Sequence, residues 1–485
     1  MTMFNIRGMY RILASSIGVT CAAALAVPLA PATAIASASP TRTPHTTQTQ
    51  SQTPTTETTP EGHTESLPLK PLTSTRATAT PTAPEQGLRA QDVRRFSLVG
   101  VIWDDPRTEL HGTVQVRTRS TETGTWSDWQ DVATHNADHA PDPDASERVS
   151  GRVHGATAPL WVGDSDGVEV RVRAEQPETT DTPTLPTGLR LELVDPGEEP
   201  ARTAPAARTA PVRRADTPQD AAPASVATTL SAETAEASAV NTELAPLGAL
   251  EIPALSDEET RRELLTLGQA ELLADLTEEQ QAKPYIGPRP GIVTRRGWGA
   301  NESWRERKFV YTSKVKAAFV HHTASGNGYT CSQAPSVIRG IYRYHVMSMG
   351  WRDIGYNFVV DKCGTIYEGR AGGVAKPVLG AHTLGFNSNS MGIALLGSYG
   401  SKKPSKASVN AVAGLTAWKL GLFGANPRGE TYLKSGGGNL YAKGRKVRLN
   451  VISGHRDGFA TECPGLQMYR KLGTTRETAA ELQGR

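Results

Sequence analysis

Apolar and polar residues alternate with period two in Val114-Gln-Val116, in Val168-Glu-Val170-Arg-Val172 and in Leu189-Arg-Leu191-Glu-Leu193. This pattern predicts antiparallel strands with one buried face. Pro- and Gly-containing turns separate them, and Trp103, Trp126, Trp129 and Trp161 are available to fill the core of a small all-β, sandwich-like domain over residues 95–196. Beyond about residue 290 the pattern changes. Val315 to Val320 and Ile393 to Leu396 are continuous apolar runs of strand length, while Pro335 to Met349 and Ser405 to Phe423 carry helical spacing. Together they predict an α/β domain over residues 290–485, a mixed sheet flanked by helices. Between the two domains, Ser256 with Glu259 three positions on forms a capping box, and Leu264, Leu267 and Leu272 share one side of an acidic connector helix over residues 256–283.

Composition sets the remaining boundaries. Residues 37–90 are Thr, Pro, Ser and Gln with almost no large apolar side chains, so they cannot bury enough surface to offset ordering entropy and are expected to form a flexible stalk. Residues 197–250 return to Ala, Pro and Thr and read as a second linker. Residues 1–36 open with Arg7 and Arg11, run through the apolar stretch Ile12 to Leu29 and reach Ala34-Ile35-Ala36, the layout of a secretory signal peptide. Pro28 and Pro31 interrupt that stretch, which weighs against an uncleaved anchor, and no later segment is long and apolar enough to span a bilayer. The expectation is a secreted chain, extracellular or associated with a cell wall, with no transmembrane segment after signal cleavage. A formal net charge of +3 over 485 residues singles out no partner, and the absence of a basic stripe with interleaved aromatics gives no indication of nucleic acid.

Removing the signal takes Cys21 and leaves Cys331, Cys363 and Cys463. An odd cysteine in an oxidising compartment is most simply explained if two form a disulfide and the third is held as a metal-bound thiolate. Three segments carry most of the metal-competent side chains: His321-His322-Thr323, Ala381-His382-Thr383, and Gly454-His455-Arg456-Asp457 followed by Cys463-Pro464. Clustering near predicted strand ends suits an α/β sheet, whose loops assemble sites from distant parts of the chain. Two imidazoles and one thiolate leave a fourth tetrahedral position open, the difference between a catalytic zinc and a closed structural one. Blue copper also uses two histidines and a cysteine, but it keeps a late Cys, His and Met close together, and no His follows Cys463. Asp164-Ser-Asp166-Gly167 invites a calcium reading, and a plain turn explains it more simply.

Several blocks then occur in a telling order. Phe319-Val-His-His-Thr-Ala324, Tyr344-His345, Gly350-Trp351-Arg-Asp353-Ile-Gly355-Tyr356-Asn-Phe358, and Ile366-Tyr-Glu-Gly-Arg370 come first. Gly380-Ala-His-Thr383 with Asn387, Ser390-Met-Gly-Ile393, and Gly454-His-Arg-Asp457 through Thr461-Glu-Cys-Pro-Gly465 follow. Over roughly residues 292–470 this succession resembles the peptidoglycan recognition protein and type 2 N-acetylmuramoyl-L-alanine amidase family; it is silent on the β-rich domain. The resemblance implies that His321, His455 and Cys463 bind Zn2+, with His322 a neighbour. It gives Tyr356 and Thr461 catalytic roles. Relatives carry Lys or Thr at the latter position, and Thr offers a developing oxyanion only a hydrogen bond. His345, Trp351, Arg370, His382 and Asn387 match positions lining the substrate cleft. Gly350-Trp351 resembles the form associated with diaminopimelate-containing stem peptides, whose extra carboxylate Arg370 could pair. A Cys331–Cys363 disulfide is expected, closing a loop of about 32 residues and stabilising the domain by about 3–4 kcal/mol in the chain-entropy model.

The implied activity is hydrolysis of the amide between N-acetylmuramic acid and L-alanine in bacterial peptidoglycan. Two rivals stay open: a non-catalytic peptidoglycan-binding receptor on the same scaffold, and a zinc peptidase cutting within the stem peptide. Cys463 argues against the receptor, since family members that only bind commonly lack that ligand.

Overall fold

The computed structural model describes residues 62–72, 84–176, 184–198, 230–266 and 284–485. The signal peptide expected over residues 1–36 lies outside them. In the β-rich region the strands are β1 (His63–Pro68), β2 (Lys70–Pro71), β3 (Glu85–Trp103), β4 (Gly112–Ser120), β5 (Gln130–Val132), β6 (Gly155–Ala156), β7 (Leu160–Ala174) and β8 (Arg190–Asp195). They join antiparallel in the order β1-β8-β3-β7-β4-β5, with β2 and β6 also paired to β3. Alternation has the expected consequence: Val114, Val116, Val168, Val170 and Val172 share one core, while Gln115 and Arg171 on the other face hydrogen-bond at 2.8 Å.

Three expectations need correction. The stalk predicted over residues 37–90 contains β1, β2 and the start of β3, because an added strand is held by backbone hydrogen bonds and needs few apolar side chains. The linker predicted over residues 197–250 contains helix α1 (Ala232–Ala239), whose first turn is capped by the Ser231 hydroxyl accepting from Thr234 N at 3.1 Å. Leu244 and Ala245 beyond it are buried in the α/β core. Of the four tryptophans assigned to the β-core, Trp103 fills it and Trp161 packs toward the α/β domain, but Trp126 and Trp129 are only half-buried. They stack with outward-facing Arg117 and Arg171, the latter 4.2 Å from the Trp129 ring. Asp164 and Asp166 accept hydrogen bonds from Ser97 and Arg119, which suits a plain turn.

Within β3 the sequence Phe96-Ser-Leu-Val-Gly-Val-Ile-Trp103 abandons alternation, and a strand that is apolar on both sides must be covered on both. Val99, Val101 and Trp103 face the β-core; Leu98 and Ile102 enter a second core with Val337, Ile338 and Ile341 of helix α3 (Ala334–Arg343). Gly100 lets Tyr344 approach. A Cβ there would lie 2.3 Å from the Tyr344 hydroxyl, and that ring is fully buried.

The α/β domain is built on a seven-stranded mixed sheet comprising β9 (Glu251–Ile252), β10 (Ile292–Val293), β11 (Ala317–His322), β12 (Phe358–Val360), β13 (Ile366–Glu368), β14 (Ser390–Leu395) and β17 (Ile452–Gly454). β15 (Glu430–Lys434) and β16 (Lys446–Asn450) form a separate hairpin. Strand order is β17-β11-β14-β12-β13-β10-β9, with β11 parallel to both β14 and β17. One face carries Ala318, Val320, Ile393 and Leu395 against helix α4 (Lys406–Gly421) through Leu415 and Trp418. The other face meets α3 and the β-domain. The predicted capping box opens helix α2 (Asp257–Thr266): Glu259 N donates to the Ser256 hydroxyl, and Ser256 N to the Glu259 carboxylate. Leu264 is buried, whereas Leu267 and Leu272 lie outside the described residues. Cys331 and Cys363 are joined in a disulfide.

Two measurements follow from this packing. Gly100→Ala is expected to lower stability by about 1–3 kcal/mol in chemical denaturation, as overpacking a filled site does; unchanged stability would mean the Tyr344 ring is free to move. The second concerns Glu368, buried at the end of β13 and accepting two hydrogen bonds from Asn241 Nδ2 at 2.9 and 3.1 Å. Burial pushes its carboxyl up to about 7, against 4.5 for an ordinary glutamate. The folded state thus binds the extra proton between those values, and stability from this group falls as pH rises from 4.5 through 7. Tm of Glu368→Gln minus that of the wild type should rise over the same window and level off above it. A flat difference would refute the shifted carboxyl.

Candidate metal centre

Period two along β11 decides which member of the His321-His322 pair enters the site. Ala318 and Val320 face the α4 core, Ala317 and Phe319 face the opposite side, and His321 follows the second set. His322 points the other way, where its Nδ1 accepts from Tyr399 N at 3.2 Å. β17 runs parallel to β11 with Gly454 opposite Val320, so His455, the next residue, emerges beside His321 at the same sheet edge. The loop after His455 returns through Arg456 N bonded to Cys463 O at 3.0 Å, which brings Cys463 back under both rings.

His321, His455 and Cys463 converge there, and a fourth group joins them: His139, from the loop between β5 and β6 of the β-domain. The four donor atoms lie within 4.8 Å of one another, and all four residues are buried. Cys463 Sγ is 3.6 Å from His139 Nε2 and 3.7 Å from His321 Nδ1. A tetrahedral ion with ordinary zinc–sulfur and zinc–nitrogen bonds separates such donors by about 3.5 Å. His455 is buried with neither ring nitrogen in a hydrogen bond among the described residues, Nδ1 lying 3.8 Å from Asp138 Oδ2, and a cation bound at one of the two nitrogens would relieve part of that cost. Burial holds His455 down to about 3 and His321 well below an ordinary histidine, leaving neutral imidazoles with free lone pairs. Burial, followed by the Asp138 carboxylate, pushes the Cys463 thiol well up, so a nearby cation is what would ionise it. The donor set therefore fits zinc. Where two imidazoles and a sulfur were expected, the structure places a fourth candidate donor, His139, contributed by the other domain.

The other residues singled out in the sequence surround this centre at varying distance. The Tyr356 ring centroid is 5.7 Å from that of His321 and 5.9 Å from that of His139. Thr461 Oγ1 accepts from Cys463 N at 3.2 Å. His345 stacks on Trp351 with centroids 4.6 Å apart and accepts from Gly355 N at 3.2 Å. His382 is fully buried behind His321, its ring edge-on at 5.2 Å and its Nδ1 3.0 Å from Thr383 Oγ1. Asn387 Oδ1 accepts from the backbone N–H groups of His382 and Thr383. Arg370 is buried, with Nε donating to Ile354 O at 2.8 Å and its two terminal nitrogens donating to the Glu147 carboxylate at 3.0 and 3.1 Å. Glu462 is exposed and pairs with Arg456 at 3.3 Å.

Sequence reading missed the β-domain's contribution. Asp138 Oδ1 sits 2.9 Å from His139 Nδ1, leaving His139 Nε2 toward the centre, the arrangement in which a carboxylate orients a metal-ligating imidazole. Burial pushes the Asp138 carboxyl up, but the neighbouring His139 and His455 and the hydrogen bonds from His139 and Thr461 outweigh it and hold it below the usual carboxylate range. The signal was available as loop length. Residues 133–154 contain only short helical turns between two strands of a compact β-domain, and connections of that size usually carry function.

Both regions of the chain resemble known families. Residues 311–466 match the N-acetylmuramoyl-L-alanine amidase family, and residues 41–212 match the family described as Rv3811 N-terminal galactose-binding domain-like. Over 183 residues the chain is 31% identical to peptidoglycan-recognition protein SC2 of Drosophila simulans, covering 38% of this chain and 85% of that protein. Over 210 residues it is 30% identical to the N-acetylmuramoyl-L-alanine amidase of Homo sapiens, covering 42% of this chain and 31% of that protein. The solved structure of wild-type Drosophila PGRP-LB spans 38% of this chain and 92% of its own at 26% identity, with a TM-score of 0.30. Among the described residues no helix is long and apolar enough to cross a membrane.

The full chain is expected to bind one zinc ion. Cys463→Ser should weaken that binding by more than the ~10–100-fold typical of changes beyond the ligands themselves, read by competition with a chromophoric chelator. Equal affinity in the two proteins would remove the sulfur from the donor set.

Proposed function

Because the chain belongs to the peptidoglycan recognition protein and N-acetylmuramoyl-L-alanine amidase family, we propose that it is a secreted zinc amidase acting on bacterial peptidoglycan. It works outside the cell or at the wall, cleaving the amide that joins the lactyl group of N-acetylmuramic acid to L-alanine. The observation that carries this reading is the convergence of His321, His455 and Cys463 beside a buried tyrosine. A receptor that only binds glycan and peptide has no chemical need for a buried cysteine beside the imidazoles of His321 and His455.

Zinc bound by these residues supplies Lewis acidity at the scissile carbonyl and lowers the pKa of water to about 7. The chain's own groups do the rest. Burial, followed by the proximity of Cys463 and Asp138, pushes the Tyr356 phenol well above its ordinary value, so it stays protonated and can donate a hydrogen bond to a developing oxyanion. Thr461 lies on the ligand loop and adds a weaker, uncharged donor. Arg370 offers a planar fork for a carboxylate of the stem peptide, and Asn387 offers an amide donor on the same wall. Exposed Glu462 is committed to Arg456 and is no candidate for the base.

Purified sacculi treated with the zinc-loaded chain, in its natural form and as His139→Ala, should release new N-terminal alanine, while Cys463→Ser should release none. Tyr356→Phe is expected to lower kcat by ~10²–10³-fold, the usual cost of losing one oxyanion donor. New termini at other stem residues would turn the assignment to the peptidase. Tight binding of sacculi without any new terminus from either zinc-loaded form would turn it to the receptor.

A further inference from the structure

We infer that residues 136–152 of the β-domain are a built-in occupant of the amidase cleft: His139 closes the metal's fourth corner, while Asp142 and Glu147 take the places of acidic groups of the stem peptide. The chain is then folded in a restrained form, and hydrolysis requires this segment to withdraw. The inference rests on the amidase reading for the identity of the substrate.

Three contacts along one continuous segment carry it. The first is His139, whose Nε2 faces Cys463 at 3.6 Å while its Nδ1 is oriented by Asp138 at 2.9 Å. An imidazole aligned in this way is set up as a ligand, and an ion held by four protein donors keeps no open tetrahedral position for water or a scissile carbonyl. The second is Asp142, whose Oδ1 accepts from Asn387 Nδ2 at 2.7 Å and from Gly385 N at 2.8 Å. The third is Glu147, held bidentately by Arg370 at 3.0 and 3.1 Å and reached by Arg352 N at 3.0 Å. Among the partners in these contacts, Asn387 and Arg370 are side chains expected to bind substrate. Both already hold carboxylates, the chemistry that a peptidoglycan stem presents.

Burial agrees. His321 and His455 are 0% exposed, and Tyr356, Trp351 and Cys463 are each 3% exposed, so a glycan strand has no access to the reacting centre. The segment joins β5 to β6 and places one residue of its own, Ala140, in the apolar seam between the domains; the rest of the β-domain's side of that seam lies outside it, among it Leu98 and Ile102 of β3 and Val194 of β8, so withdrawal of the segment leaves most of the docking surface in place.

The test uses the full chain with cobalt(II) in place of zinc, and azide as the probe of an open coordination position. The visible spectrum of the natural protein should not respond to azide, whereas that of His139→Ala should. With zinc, His139→Ala should release N-terminal alanine from sacculi ~10-fold or more faster than the natural protein, because the competent fraction is no longer limited by the loop. The double variant Asp142→Asn with Glu147→Gln keeps all four donors and should also be faster, which covers the case in which His139→Ala fails to fold. An azide-responsive natural protein with alanine release equal to that of the variants overturns the inference and leaves the amidase intact. Azide response confined to His139→Ala, with no alanine from any form, supports the occupied corner and overturns the amidase instead.

Discussion

Three imidazoles and a thiol are gathered in the buried interior where two domains meet. Buried donors without partners are expensive, and here they are the two nitrogens of His455 together with a thiol that burial discourages from ionising. A divalent ion bound at one of those nitrogens and at the sulfur would offset much of this cost. Much of the local architecture then has a reason: parallel β11 and β17 deliver two rings to one edge, the loop after His455 folds back to present sulfur, and Asp138 fixes a tautomer.

The centre depends in turn on how the domains dock. β3 is apolar on both faces between Phe96 and Trp103, so the β-domain has its own core and still offers Leu98 and Ile102 to the α/β domain. That seam holds the long loop of residues 133–154 over the cleft, and the loop's acids meet the cleft's Arg370 and Asn387. The loop also sends Ala140 and Val153 into that apolar seam, so the cover over the cleft is built from both apolar packing and ion pairs.

The strands and helices that frame the site were legible because their signals are local. Alternation in Val168-Glu-Val170-Arg-Val172 and the apolar run before His321 report burial residue by residue, and the Ser256–Glu259 capping box is complete within four positions. The polar strand β1 and the Ala-rich helix α1 were not legible. The first is held by backbone pairing to β8, some 125 residues away, and the second is seated by contacts with a distant domain.

The same division holds for the chemistry. The order of the histidine and cysteine blocks was enough to nominate His321, His455 and Cys463 together, since residue type and succession are properties of the chain alone. Which neighbour of a His-His pair enters the site was decided by the pleat of β11, and a fourth candidate donor, His139, was brought beside them by the docking of the β-domain. No periodicity links residue 139 to residue 463, because their proximity is a product of two folded surfaces meeting, and such contacts leave no mark in the local pattern of either segment.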